Sequence, residues 1–254
     1  MKYGGLRRFS LKWWLALPFS IGDIWKRMSP KDALAQGMCY WWFGELPRRH
    51  FQEIFKRSSE AAYSIVNSGR RDPTTSTTLF ELNCILMAQA EVKAKRVLEI
   101  GTFNGNTTVN IAVNLPDDGQ VVTCDLPVEG PADLAIAVAA GEKNVTDRRT
   151  VGQQYLEHPA RSRVKQVFGD TAKLDFSTLG GPFDLAFIDG CHAYDYVKSD
   201  TEKVLKVMRQ GGLVLWHDYA EMDSVSRAVD EFRSRFDDLV AIAGTRIAVG
   251  RVKS

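Results

Sequence analysis

The chain has 254 residues, enough for one large domain with a sizeable core, and 44% hydrophobic with 25% charged residues is the balance of a globular protein. A net charge of +2 offers no clustered basic surface, which argues against a nucleic-acid partner. The four cysteines lie far apart with no Cys-x-x-Cys pair, which suits buried thiols in a reducing cytoplasm better than disulfides or zinc.

Residues 1–30 begin with Lys2, Arg7, Arg8 and Lys12 and continue into the apolar Trp13-Trp14-Leu15-Ala16-Leu17-Pro18-Phe19. No run reaches the roughly 18 apolar residues of a membrane span. Three readings stand: a helical arm packed on the domain or on a second copy in a homo-oligomer, a segment lying on a membrane surface, or a cleaved signal. From Pro30 to Lys95 the pattern is helical. Ile54, Phe55, Ala61, Ala62, Ile65 and Val66 recur at helical spacing up to the stop at Asn67-Ser68-Gly69, and a second helix follows an N-cap among Thr74–Thr78. Residues 1–74 therefore read as an N-terminal helical arm or cap, with the main domain at 75–254.

Within that domain Val97, Leu98 and Ile100 form a short buried strand that breaks at Gly101 and Gly105 before a helix opens at Thr107-Thr108. Strand, glycine turn and helix N-terminus together form a nucleotide-binding device, because backbone N–H groups face the ligand. Strands then read at 120–124, 163–168, 183–188 and 213–216. Helices read around 132–140, at 194–209 and over 224–236, and apolar segments at 239–243 and 247–249 pair as a hairpin across Gly244-Thr245. Asp195, Asp200 and Glu202 read as a solvated helix face, and His50 and His158 as structural. The alternation gives an α/β fold with a mostly parallel sheet. Every strand end on the ligand side carries a polar residue: Glu99 beside Gly101, then Asp125, Asp170, Asp189 and His217-Asp218.

The turn lacks glycine at the third and sixth positions of a G-x-G-x-x-G fingerprint, where Phe103 and Asn106 stand, and no Gly-Lys-Ser/Thr follows. A carboxylate at Glu99 repels a pyrophosphate but attracts an ammonium or sulfonium, both of which S-adenosylmethionine carries. Asp125 is placed to accept from ribose hydroxyls.

The residues Val97–Thr108, Gly169-Asp170-Thr171, Phe183–Tyr194 (FDLAFIDGCHAY) and Gly211–Tyr219 (GGLVLWHDY) resemble, as a set, class I S-adenosylmethionine-dependent methyltransferases of the bacterial family 24-like branch that methylates small-molecule and sugar hydroxyls. The resemblance covers roughly residues 75–250. It implies a Rossmann-like fold with a seven-stranded, mostly parallel sheet, a C-terminal antiparallel hairpin and an N-terminal helical extension. It further implies S-adenosyl-L-methionine bound by Glu99, Gly101, Thr102, Phe103, Gly105, Thr107, Asp125, Asp170, Thr171 and Asp189. Gly101 and Gly105 would approach the methionine part and Asp170 the adenine amino group. On the acceptor side it implies a divalent cation, Mg²⁺ or Mn²⁺, on Asp189, His217 and Asp218, although His217 stands where an acid is more usual. His192, three residues past Asp189, takes the position of a general base, so His192 and Asp189 are the catalytic candidates. The competing expectation is a catalytically silent S-adenosylmethionine-binding scaffold, held at a membrane by residues 1–30.

Overall fold

The computed structural model describes residues 43–58, 60–67, 77–127, 134–136 and 151–253. In chain order the elements are β1 (Arg48–Arg49), α1 (Phe51–Ile54), α2 (Leu79–Glu91), β2 (Arg96–Ile100), α3 (Asn106–Val113), β3 (Gln120–Asp125), α4 (Gln153–Leu156), β4 (Val164–Phe168), β5 (Phe183–Ile188), α5 (Tyr194–Val207), β6 (Met208–Trp216), α6 (Asp223–Asp230), β7 (Phe236–Ile242) and β8 (Ala248–Val252). They form one 8-stranded sheet of order β1-β7-β8-β6-β5-β2-β3-β4. Every neighbouring pair is parallel except the two that β8 makes with β6 and β7.

Alternate side chains of the central strands enter two apolar layers. Leu98, Ile100, Ala186, Ile188, Val214 and Trp216 pack under α5 and α6, whereas Val97, Leu185, Phe187, Leu213 and Leu215 pack under α2 and α3. Strands buried on both faces explain the unbroken apolar runs in the sequence. The order reverses between β2 and β5, and in open α/β sheets that crevice beyond the carboxyl ends is where ligands bind.

The expected hairpin forms, in the register Leu239↔Gly250 and Val240↔Val249. The sheet gains an eighth strand because Arg48 and Arg49 pair in parallel with Ala241 and Ile242 at its edge. The compact unit starts at Phe43, not near residue 75, and Phe55 is wholly buried in the second layer. The helix expected through Ile54–Val66 is limited to Phe51–Ile54. Beyond it Ser64 and Val66 donate their N–H groups to the side chains of Asn114, which caps the end of α3, and Asn110 on α3 (2.7 and 2.8 Å), outside partners that replace helical bonding. Helix α5 ends at Val207, so Gly211-Gly212 lies inside β6. Helix α6 closes at Asp230, followed by a 3₁₀ turn at Arg233–Arg235. The arm at 1–30, the aromatic residues 40–42 and all but 134–136 of the helix expected at 132–140 lie outside the described residues.

Among the described residues no helix is long and apolar enough to cross a membrane. Cys84 and Cys124 are fully buried thiols, both pushed by burial up to about 12.

Candidate active site

The glycine turn after β2 is built by its neighbours. Gly101 has φ +93°, and a side chain there would run into the Asp189 carbonyl 2.0 Å away, so the ends of β2 and β5 touch through backbone. Phe103 is held at φ +45°, a conformation that costs a non-glycine residue roughly 1–3 kcal/mol. Asp125, closing β3, steadies it: Oδ2 accepts from the N–H groups of Thr102 (3.0 Å) and Phe103 (2.9 Å). From the other side Gly152 N donates to Phe103 O (2.7 Å) and Gln154 N to Asn104 O (2.9 Å), which closes α4 over the turn. Thr107 and Thr171 stand half-buried at the opening of α3 and after Asp170.

Two of the expected ligand groups are turned inward. Glu99 is fully buried and accepts from Thr108 Oγ1 (2.5 Å) through Oε2, while its Oε1 has no hydrogen-bond partner among the described residues. Burial pushes its carboxyl up to about 8. Asp170 is 8% exposed and binds Ala135 N (2.8 Å), Ala172 N (2.9 Å) and the Tyr196 hydroxyl (3.1 Å), which ties the segment after β3 to α5.

Asp200 overturns its expected solvated position. It shares the inner face of α5 with Tyr196, Val197, Thr201 and Val204, and burial pushes its carboxyl up to about 7. Because Asp200 and Glu99 both have raised values in the folded state, each contributes stability that is fully present below the ordinary carboxylate range. That stability is lost as pH rises through about 7 to 8. Urea unfolding at pH 5 and pH 8 should therefore show Asp200→Asn losing much less stability across the interval than the native chain. An unchanged difference would contradict the burial argument.

At the ends of β5 and β6 a second constellation forms. His192 Nε2 lies 2.8 Å from Asp218 Oδ2, with the imidazole 26% exposed and the carboxylate nearly buried. Asp218 has φ +55°, a left-handed backbone that turns its side chain back under His192. His217 is buried, with Nδ1 3.1 Å from Asp189 Oδ1 and 3.3 Å from Asp218 Oδ1, and Nε2 3.4 Å from Glu81 Oε2. Burial would lower the His217 value, but the Asp189 and Asp218 carboxylates raise it well above that of free histidine. Burial would raise Asp218, and His217 and His192 pull it well below the usual carboxylate range.

Glu81 enters from α2, where it also completes a capping box with Thr78. Burial opposes its charge, yet His217 and Arg246 hold its carboxyl well below the ordinary value. Neither Glu81 nor Arg246 stood out in the sequence. The Thr-x-x-Glu spacing marks Glu81 as a cap, and Arg246 reads only as a hairpin-turn residue.

Asp189, His192 and Asp218 each present a donor atom within 4.8 Å of one another. The expected set of Asp189, His217 and Asp218 fits a hard divalent cation poorly, because Asp218 Oδ1 is already engaged by the Arg246 guanidinium (3.1 Å) and by His217 Nδ1 (3.3 Å). In addition, the His217 nitrogen on that side, Nδ1, is turned to the Asp189 and Asp218 carboxylates, while Nε2 points towards Glu81.

The cofactor turn does fit S-adenosylmethionine: Asn106, the first residue of α3, is 3% exposed and neither polar atom of its carboxamide has a partner. A reversing parallel sheet with an antiparallel last strand, a glycine turn after the strand at the reversal and polar groups at the next strand ends form the arrangement shared with class I S-adenosylmethionine-dependent methyltransferase domains. The comparisons agree: the family model for a methyltransferase domain matches residues 98–219.

Catechol O-methyltransferase domain-containing protein 1 of Mus musculus is 29% identical over 134 residues, 49% of this chain and 44% of that protein. Caffeoyl-CoA O-methyltransferase of Stellaria longipes is 24% identical over 126 residues, 49% of this chain and 46% of that protein. The matched stretch thus spans less than half the length of these relatives. Among solved structures the O-methyltransferase TomG of Streptomyces achromogenes, in complex with S-adenosylmethionine, superposes with a TM-score of 0.53. At 17% identity over 82% of this chain and 92% of that one, it supports the fold alone.

Proposed function

We propose that the protein is an O-methyltransferase that moves the methyl group of S-adenosylmethionine to a hydroxyl of a small molecule or sugar-bearing metabolite. The observation that carries this reading is the His192–Asp218 pair at 2.8 Å, placed one strand end from the glycine turn through the Asp189–Gly101 contact. S-adenosylmethionine supplies a methyl group already activated by its sulfonium, so the chain's work is to orient the acceptor and remove its proton. His192 takes that proton, and Asp218 fixes the imidazole and stabilises it once charged, the division of labour of a His–Asp dyad. Asp189 stands between turn and dyad, its carbonyl against Gly101 and its Oδ1 3.1 Å from His217 Nδ1. The relatives named for catechol and caffeoyl-CoA methylation support a hydroxyl acceptor.

Calorimetric titration of the full chain with S-adenosylmethionine tests the reading directly. Saturable binding is expected, weakened at least tenfold (about 1.4 kcal/mol or more) by Asp125→Ala, which releases the Thr102 and Phe103 N–H groups. An intact, folded chain that binds no S-adenosylmethionine sinks it.

A further inference from the structure

One charge in the acceptor-side network stands apart from the expected site. Arg246, in the turn joining β7 to β8, reaches across to α2 and to the loop after β6. Its backbone N and its Nε donate to Glu81 Oε1 (2.9 and 3.0 Å), and Nη2 donates to Glu81 Oε2 (3.0 Å). Nη1 divides between Asp218 Oδ1 (3.1 Å) and Glu221 Oε2 (2.9 Å). Only 20% of the side chain is exposed, and a guanidinium keeps its charge at any working pH. The fork cannot swing away without leaving Glu81, which is fully buried, with only the backbone N–H groups of Thr78 (2.8 Å) and Arg246 (2.9 Å) and His217 (3.4 Å) facing its charge.

The consequence follows from where the free lone pairs are. Asp218 Oδ1 faces both the Arg246 guanidinium (3.1 Å) and His217 Nδ1 (3.3 Å), and Oδ2 faces His192 (2.8 Å), so an incoming cation would have to share Oδ2 with His192 beside the guanidinium. A divalent ion shared between Asp189 and Asp218 would sit next to a permanent positive charge, in a setting shielded from water where repulsion is strong. Glu81 engages the guanidinium through both oxygens and Glu221 through Oε2, so these oxygens are already taken up by Arg246.

We propose that Arg246 is the resident cation of the acceptor site: it supplies from within the chain the positive charge that a divalent metal would otherwise bring to Asp218. As a positioning residue it holds Asp218 in the orientation that presents Oδ2 to His192. The idea rests on the methyltransferase reading for the purpose of the site, and on the Arg246 contacts alone for its charge balance.

The test is Mn²⁺ titrated into the full-length protein without cofactor or acceptor, followed by the electron paramagnetic resonance of free Mn²⁺ and by the thermal unfolding midpoint. The native chain should show no saturable site and no midpoint rise through the millimolar range. Arg246→Met and Arg246→Gln should gain a site at least tenfold tighter, and adding Asp218→Asn should remove it. Saturable binding by the native chain that Asp218→Asn abolishes overturns the proposal. A folded Arg246 variant that gains no site overturns it too. Should the Arg246 variants not fold, the native chain and Asp218→Asn still decide. Since S-adenosylmethionine takes no part, a failure here leaves the cofactor reading standing, and the reverse holds as well.

Discussion

His192→Ala is expected to lower methyl transfer by about 10²–10⁴-fold, the usual contribution of a positioned acid–base group, while S-adenosylmethionine affinity stays within about twofold. The split follows from geometry. His192 meets Asp218 at the ends of β5 and β6, whereas the cofactor turn is built from Gly101–Gly105, Asp125 and the segment at Gly152–Gln154. Radiolabelled S-adenosylmethionine with a panel of catechol and sugar hydroxyl acceptors measures turnover, and calorimetry measures affinity. Equal losses in both would make His192 a structural residue of the cofactor pocket. Loss of neither would remove it from the reaction. With an imidazole one-quarter exposed, the substitution should leave the unfolding midpoint nearly unchanged.

Glu81→Ala should be among the most destabilising single changes in the domain, on the order of 3–5 kcal/mol. The fully buried carboxylate binds Arg246 through three donors and lies 3.4 Å from His217, so its removal strips those donors of their acceptor and leaves the two groups to share Asp218, with Glu221 on one side and Asp189 on the other. The same change breaks the capping box at the start of α2, worth roughly a further 1 kcal/mol. Because the folded state holds the Glu81 carboxyl below its ordinary value of 4.5, its contribution is present above that pH and is lost in acid. Denaturant unfolding at neutral pH checks the size. A loss below about 1 kcal/mol would mean that Arg246 and His217 find other partners or water.

The glycine turn and the strand-end acids were legible because their signals are local. A buried strand, two glycines and a helix start lie within a dozen consecutive residues, and each acid closes its own strand. The eighth strand was not legible, since Arg48 and Arg49 have no apolar alternation and become a strand only by pairing with β7. The segment after Ile54 misled for a related reason: its apolar spacing suits a helix, but the side chains of Asn110 and Asn114 hold its backbone from another element. Asp200 misled because one helix face can be inner or outer, and a polar residue on it gives no sign of which.

The sequence by itself determined the α/β class of the sheet, the glycine turn where the strand order reverses and the set of polar residues at the strand ends, since backbone geometry and strand ends follow from neighbouring residues. Only the tertiary structure decided how those residues are charged and paired. Glu81 and Arg246 are 165 positions apart, and no spacing rule links them. Their meeting under Asp218 puts a guanidinium against the carboxylate that the sequence offers as a metal ligand. That outcome depends on α2 and the β7–β8 turn reaching the same strand ends, a matter of packing that no local pattern encodes.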